Sequence, residues 1–127
     1  MRALVVDDSR SMRSIIAKLL AELGCEVHEA ASGEEALAVL RKLKRCEIAL
    51  VDWNMPGMDG LQLLRVVRAE PQWQDLIVMM VTTESEAAQV SKALEAGASE
   101  YLMKPFDKRA LHEKLLLLGI DPGEQAA

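Results

Sequence analysis

Residues 76–83 read Leu76-Ile77-Val78-Met79-Met80-Val81-Thr82-Thr83, an uninterrupted apolar run that ends in two hydroxyl residues. A strand with one wet face alternates apolar and polar side chains, so a run without polar positions is expected of a central parallel strand covered on both faces. Working outward, Ala3-Leu4-Val5-Val6 is a shorter apolar run ending in Asp7-Asp8-Ser9, after which Met12, Ile15, Ile16, Leu19, Leu20 and Leu23 recur at helical spacing before Gly24. Cys25 to Glu29 reads as a second strand, Ser32-Gly33 as a turn, and Ala36, Leu37, Leu40 and Leu43 as one face of a helix. Glu47 to Val51 reads as the third strand, and the helix from about Asp59 carries Leu61, Leu64, Val67 and Arg68 until Pro71 stops it. Beyond the quoted run, residues 84–95 read as a helix with Ala87, Val90 and Leu94 facing inward, closed by Gly97. Glu100 to Met103 forms a last strand, and a helix from about Asp107 presents Leu111, Leu115 and Leu118.

Five strand-helix units without a long linker predict an α/β domain, a doubly wound five-stranded parallel sheet with five helices on its two faces. The chain has 127 residues, enough for one core without disulfide or structural metal. Residues 1–120 are read as that domain, and 121–127, with Pro122, Gly123 and Gln125 and no periodicity, as a frayed tail. Aromatics make up 3% of the chain, so the core must come from aliphatic residues and methionine. A formal net charge of −5 leaves no broad basic surface for nucleic acid or an anionic membrane. Cys25 and Cys46 lack metal-ligand spacing and read as reduced, half-buried thiols; the start of the chain holds no signal-peptide core, and no apolar run approaches membrane-spanning length. A cytoplasmic monomer is expected.

The chemistry is expected at one edge of the sheet. In open parallel α/β sheets ligands bind beyond the carboxyl ends of the strands, where loops converge and helix N-termini point. Asp7-Asp8, Asp52, Thr82-Thr83 and Lys104-Pro105 all fall there. Three carboxylates brought together raise one another's pKa values unless a cation joins them. Hard oxygen donors and a small ligand count favour Mg2+, with Mn2+ able to substitute; calcium would want more oxygens, and the absence of histidine or cysteine at these strand ends argues against zinc. Lys104 and Thr82 add a charge and a hydroxyl suited to a phosphoryl anion, and Asp52, held by the strand before it, is the candidate nucleophile toward phosphorus.

Taken together, Val5-Val6-Asp7-Asp8-Ser9, the stretch from Asp52-Trp53-Asn54-Met55-Pro56 to Gly60, Val81-Thr82 and Lys104-Pro105-Phe106 resemble response-regulator receiver domains, with Asp52 to Pro56 similar to chemotaxis-type receivers. The resemblance spans nearly the whole chain. It implies a flavodoxin-like strand order 2-1-3-4-5, Asp52 as phosphoacceptor, Asp8 and Asp52 as direct metal ligands, Asn54 as a ligand through its backbone carbonyl, and Asp7 through water. It further implies Thr82 and Lys104 on the phosphoryl oxygens, a cis Lys104-Pro105 bond, and a switch pairing Thr82 with Tyr101. By the same resemblance Asn54 and Glu84, with Thr83 beside them, are expected to tune phosphoryl loss. Thr83 departs from the chemotaxis-type pattern, where a smaller residue is usual, and is expected to slow exchange. The implied partners are a histidine kinase and a downstream effector protein, with a flagellar motor switch or a phosphatase as examples, and the implied role is a signalling switch and not a turnover enzyme.

Blander readings stand beside these. Asp7-Asp8-Ser9 alone would be a helix cap, Lys104 a surface lysine, and Tyr101 a partly buried strand residue. Trp53 is expected half exposed beside the metal, Met55 and Met58 at the surface, and His28 and His112 in solvent. The basic run Arg41-Lys42-Leu43-Lys44-Arg45 fits an exposed helix end. The rival function is a metal-dependent phosphohydrolase with an aspartyl-phosphate intermediate, but Asn54 stands where that class usually places a second acid. A receiver cut from a longer regulator with a DNA-binding or enzymatic output is the other alternative.

Overall fold

A computed structural model describes residues 1–83 and 89–121. In chain order the elements are β1 (Arg2–Val6), α1 (Arg10–Glu22), β2 (Glu26–Ala30), α2 (Gly33–Leu43), β3 (Ile48–Asp52), α3 (Gly60–Ala69), a 3-10 turn (Pro71–Trp73), β4 (Ile77–Thr82), α4 (Val90–Glu95), β5 (Glu100–Met103) and α5 (Lys108–Leu117). All four strand pairings are parallel, in the order β2-β1-β3-β4-β5. The expected fold is observed, with strand limits shifted by one residue at most at either end of the expected spans. Residues 84–88, which include Glu84, Ala87 and the expected start of the fourth helix, and 122–127 of the expected tail lie outside the described residues.

Four of the five helices, α1, α2, α3 and α5, begin where a side chain can bind their first free N–H groups; Gln89 before α4 makes no such bond. Ser9 accepts from Met12 N, Ser32 from Glu35 N, Asp59 from Gln62 N in a reciprocal capping box, and Asp107 from Ala110 N. The period-2 alternation of the strands then sorts the core into two layers. Leu4, Val6, Ala49, Val51, Val78 and Met80 pack with Ala36 and Leu40 of α2, Leu63, Leu64 and Val67 of α3, and Ala93 of α4. Ala3, Val5, Ile48, Leu50, Met79 and Val81 pack on the opposite face with Ile16 and Leu20 of α1 and Leu111 and Leu115 of α5. At about 25 cal/mol per Å² of apolar area, this two-sided burial is the main stabilising term.

Several expectations need correcting. Ile15 is 53% exposed and Leu94 45% exposed, although both lie on the apolar stripes read from the sequence; Ala93 faces inward on α4 instead. Trp53 and Met55 are buried rather than half exposed or at the surface. The reason is register: Trp53 N donates to Val81 O, which extends the β3 ladder by one residue, and alternation sends the indole to the α2–α3 side, opposite to Asp52. Cys25 and Cys46 are buried free thiols, and burial pushes the Cys46 thiol up to about 11. His28 is partly buried, with Nε2 2.9 Å from Glu26 Oε2. His112, also partly buried, lies 3.9 Å from Asp121. No helix among the described residues is long and apolar enough to cross a membrane.

Candidate functional site

Buried polar or charged residues are costly unless partnered, so their location is informative. Among the described residues they are Asp7, Asp52 and Thr82, all at the carboxyl edge of the sheet. Asp7 follows β1 and Asp52 ends β3, the two strands being neighbours, and both acids share the parity of the residues facing α1 and α5. Lys104 follows β5 with the same parity. Thr82 ends β4 with the opposite parity, on the face where Tyr101 packs.

The geometry at that edge is close. Lys104 Nζ stands 3.2 Å from Asp52 Oδ1 and 3.5 Å from Asp7 Oδ2. One carboxylate oxygen from each of Asp7, Asp8 and Asp52 lies within 4.8 Å of the other two, Asp8 being the exposed member. Asp7 is further fixed by its N–H donating to Ala30 O, by Ser9 N donating to its Oδ1 at 2.8 Å, and by Arg13 Nη1 donating to its carbonyl at 2.7 Å. Lys104 N donates to Thr82 O, and the Lys104-Pro105 bond is cis, as the motif implied. On the other side of Asp52, Gly60 brings the start of α3 against the strand end; a Cβ there would stand 2.5 Å from Asp52 O, so glycine is required.

The electrostatics follow from this crowding. Burial, then the neighbouring Asp7 charge, push the Asp52 carboxyl up to about 6 despite Lys104. Burial works against the Lys104 ammonium, yet the facing Asp52 and Asp7 outweigh it and raise its pKa. Three ionised carboxylates against one ammonium leave about two negative charges unbalanced in a set of hard oxygen donors. That donor set fits a small, hard divalent cation.

The remaining residues divide. Thr82 Oγ1 donates to Thr83 O at 3.2 Å, and Thr83 borders the same edge, half-buried. Asn54 is exposed in the loop after β3. Tyr101 is half-buried, with Lys114 Nζ 4.5 Å from its ring centroid and 3.4 Å from Glu100 Oε1. Glu84 lies outside the described residues. The sequence did not single out Arg13 or Glu29, whose side chains meet at 3.1 Å behind Asp7; charged residues on a helix face and an edge strand carry no local signal of such a contact.

Comparisons with known proteins agree with this architecture. A model of the response regulator receiver domain family matches residues 3–116. A chemotaxis protein CheY homolog of Campylobacter jejuni is 47% identical, with 100% of this chain and 99% of that protein covered. Chemotaxis protein CheY1 of Helicobacter pylori is 45% identical over 91% of this chain and 94% of its own. Among solved structures, chemotaxis protein CheY4 of Vibrio cholerae superposes with a TM-score of 0.85 at 35% identity, covering 91% of this chain and 96% of its own.

Proposed function

Because the chain belongs to the response-regulator receiver family, we propose that its two-component switching runs through Asp52, which takes a phosphoryl group from a phosphohistidine of a histidine kinase. A carboxylate oxygen of Asp52 forms the new bond to phosphorus as the phosphorus–nitrogen bond breaks and imidazole leaves. Asp52 must be ionised to attack, and a carboxyl pushed up to about 6 is still mainly anionic at pH 7. Mg2+, or Mn2+ in its place, held by Asp8, Asp52 and the Asn54 carbonyl with Asp7 acting through water, would neutralise charge on the transferred oxygens. Lys104 supplies the protein's own cation and Thr82 its hydroxyl donor. The observation that carries this assignment is the Lys104 ammonium 3.2 Å from Asp52, with Asp7 and Asp8 converging on the same point.

The readout follows from the shared face of Thr82 and Tyr101. A phosphoryl group on Asp52 draws the Thr82 hydroxyl from Thr83 O toward itself; Tyr101 moves into the space released and reshapes the surface of α4, β5 and α5. A partner that prefers the altered surface stabilises the phosphorylated state reciprocally. In keeping with its similarity to chemotaxis proteins, we infer a cytoplasmic, monomeric regulator that acts on a protein effector, such as a flagellar motor switch or a phosphatase, rather than a turnover enzyme. Incubation with a small phosphodonor and Mg2+, followed by intact-mass measurement, tests the acceptor. One phosphoryl adduct is expected on the wild type and none on Asp52→Asn; an adduct on both would move the acceptor elsewhere.

A further inference from the structure

Asp7 and Asp8 hang from a single peptide unit, whose six atoms run from the Cα of one to the Cα of the other and rotate as a plane. The oxygen of that unit is the Asp7 carbonyl, which accepts 2.7 Å from Arg13 Nη1. Arg13 lies one turn into α1 and is itself anchored, its Nε 3.1 Å from Glu29 Oε1 on the edge strand β2. The Arg13 side chain is only 16% exposed, which restricts its rotamers, while Glu29 is 46% exposed. We propose that Arg13 is a positioning residue for the acidic site: with Glu29 holding it, it fixes the Asp7–Asp8 peptide plane and so the relative placement of the two carboxylates that receive the divalent cation.

This inference rests on the assignment of the acids as a cation site, and it makes a distinctive claim about sign. A guanidinium close to a cation site repels the cation, so if Arg13 acted through its charge alone, neutralising it would tighten Mg2+ binding. If it acts by holding the peptide plane, neutralising it lets Asp7 and Asp8 drift apart in angle and loosens binding. Residues that orient metal ligands typically account for about 10–100-fold in affinity, and an effect through a backbone carbonyl is expected at the lower margin, about 3–10-fold. The bland alternative is that Arg13 merely satisfies a buried carbonyl, which would lower stability without touching affinity.

The full chain and its Arg13→Met, Arg13→Lys and Glu29→Gln variants are titrated with Mg2+ by calorimetry, with thermal melts in chelator as the measure of fold. Arg13→Met should raise the Mg2+ Kd about 3–10-fold. Arg13→Lys, whose ammonium can reach the carbonyl but not bridge it to Glu29 in the same fork, should recover part of that loss, and Glu29→Gln should fall between wild type and Arg13→Met. A Kd that is unchanged or lower in Arg13→Met, in a variant that still melts cooperatively, overturns the proposal. Should Arg13→Met fail to fold, an unchanged Kd in both Arg13→Lys and Glu29→Gln overturns it equally. Absence of Mg2+ binding to the wild type would instead bring down the cation-site assignment, so the two failures are distinguishable.

Discussion

At the carboxyl edge of the sheet, Asp7 and Asp52 stand buried side by side against one lysine; at the amino edge, the half-buried guanidinium of Arg68 is bound by neutral acceptors. Arg68 Nε donates to Gly97 O at 2.9 Å, Nη1 to Trp73 O at 2.8 Å and more weakly to Gln74 O, and Nη2 reaches Ser99 Oγ at 3.5 Å. Burial lowers the Arg68 pKa, but a guanidinium starts so high that it stays charged. Ser99 Oγ in turn accepts from Val78 N, so one side chain ties α3 to the segments that lead into β4 and β5. The same sheet thus carries buried charge in two ways. At the amino edge the Arg68 charge is hydrogen-bonded by neutral acceptors, with Asp75 near enough to support it, and serves stability; at the carboxyl edge negative groups outnumber the lysine, and the mismatch creates affinity for a cation and a phosphoryl group at a cost in folding free energy.

That contrast can be broken most severely at Lys104. Removing its ammonium with Lys104→Met should slow acceptance from a small phosphodonor by about 10²–10³-fold, the usual consequence of deleting one preorganised donor to a transferred group. The rate of adduct formation by mass spectrometry measures it, and a rate near wild type would mean that the carboxyl edge does not use its cation for chemistry. The reverse pattern is expected at the other edge. Arg68→Met should destabilise the protein by about 2–4 kcal/mol in denaturant melts, since it strands several carbonyls, yet leave phosphoryl acceptance nearly unchanged. A large loss of acceptance in a well-folded Arg68→Met would merge the two edges into one functional unit. The smallest effect is expected at Thr83, which borders the acidic site. Thr83→Ala should shed its phosphoryl group a few-fold faster than wild type, by wider access for water; equal rates would remove Thr83 from the account.

The amino edge was also the less legible in sequence. Apolar periodicity reveals strands and helices, and acids that interrupt buried strands at their carboxyl ends reveal the site, because both signals are local. Leu76 to Val81 declared a central strand without any partner being known. Arg68 gave no such sign: its partners lie five to thirty-one residues away, and an arginine near a helix end reads as solvated. The Arg13–Glu29 pair spans sixteen residues and was hidden for the same reason. Trp53 was misread because neighbouring positions on a strand point to opposite faces; its place beside Asp52 in sequence put the indole in the core and the acid at the site.

The central claim is that the carboxyl edge is electrostatically mismatched and that a cation relieves it. Stability of wild type and Asp52→Asn, followed by denaturant melts from pH 4 to 8 in chelator and then in Mg2+, tests it most directly. The Asp52 carboxyl is pushed from 3.8 up to about 6 in the folded protein, so its stabilising contribution is full below about pH 4 and is lost as pH rises through 6. Asparagine does not titrate. Without metal, Asp52→Asn should therefore be the more stable protein at pH 7 by about 1–3 kcal/mol, the gap should close toward pH 4, and Mg2+ should narrow it at pH 7. An Asp52→Asn protein no more stable than wild type at pH 7 without metal, or a gap that Mg2+ leaves unchanged, would contradict the account.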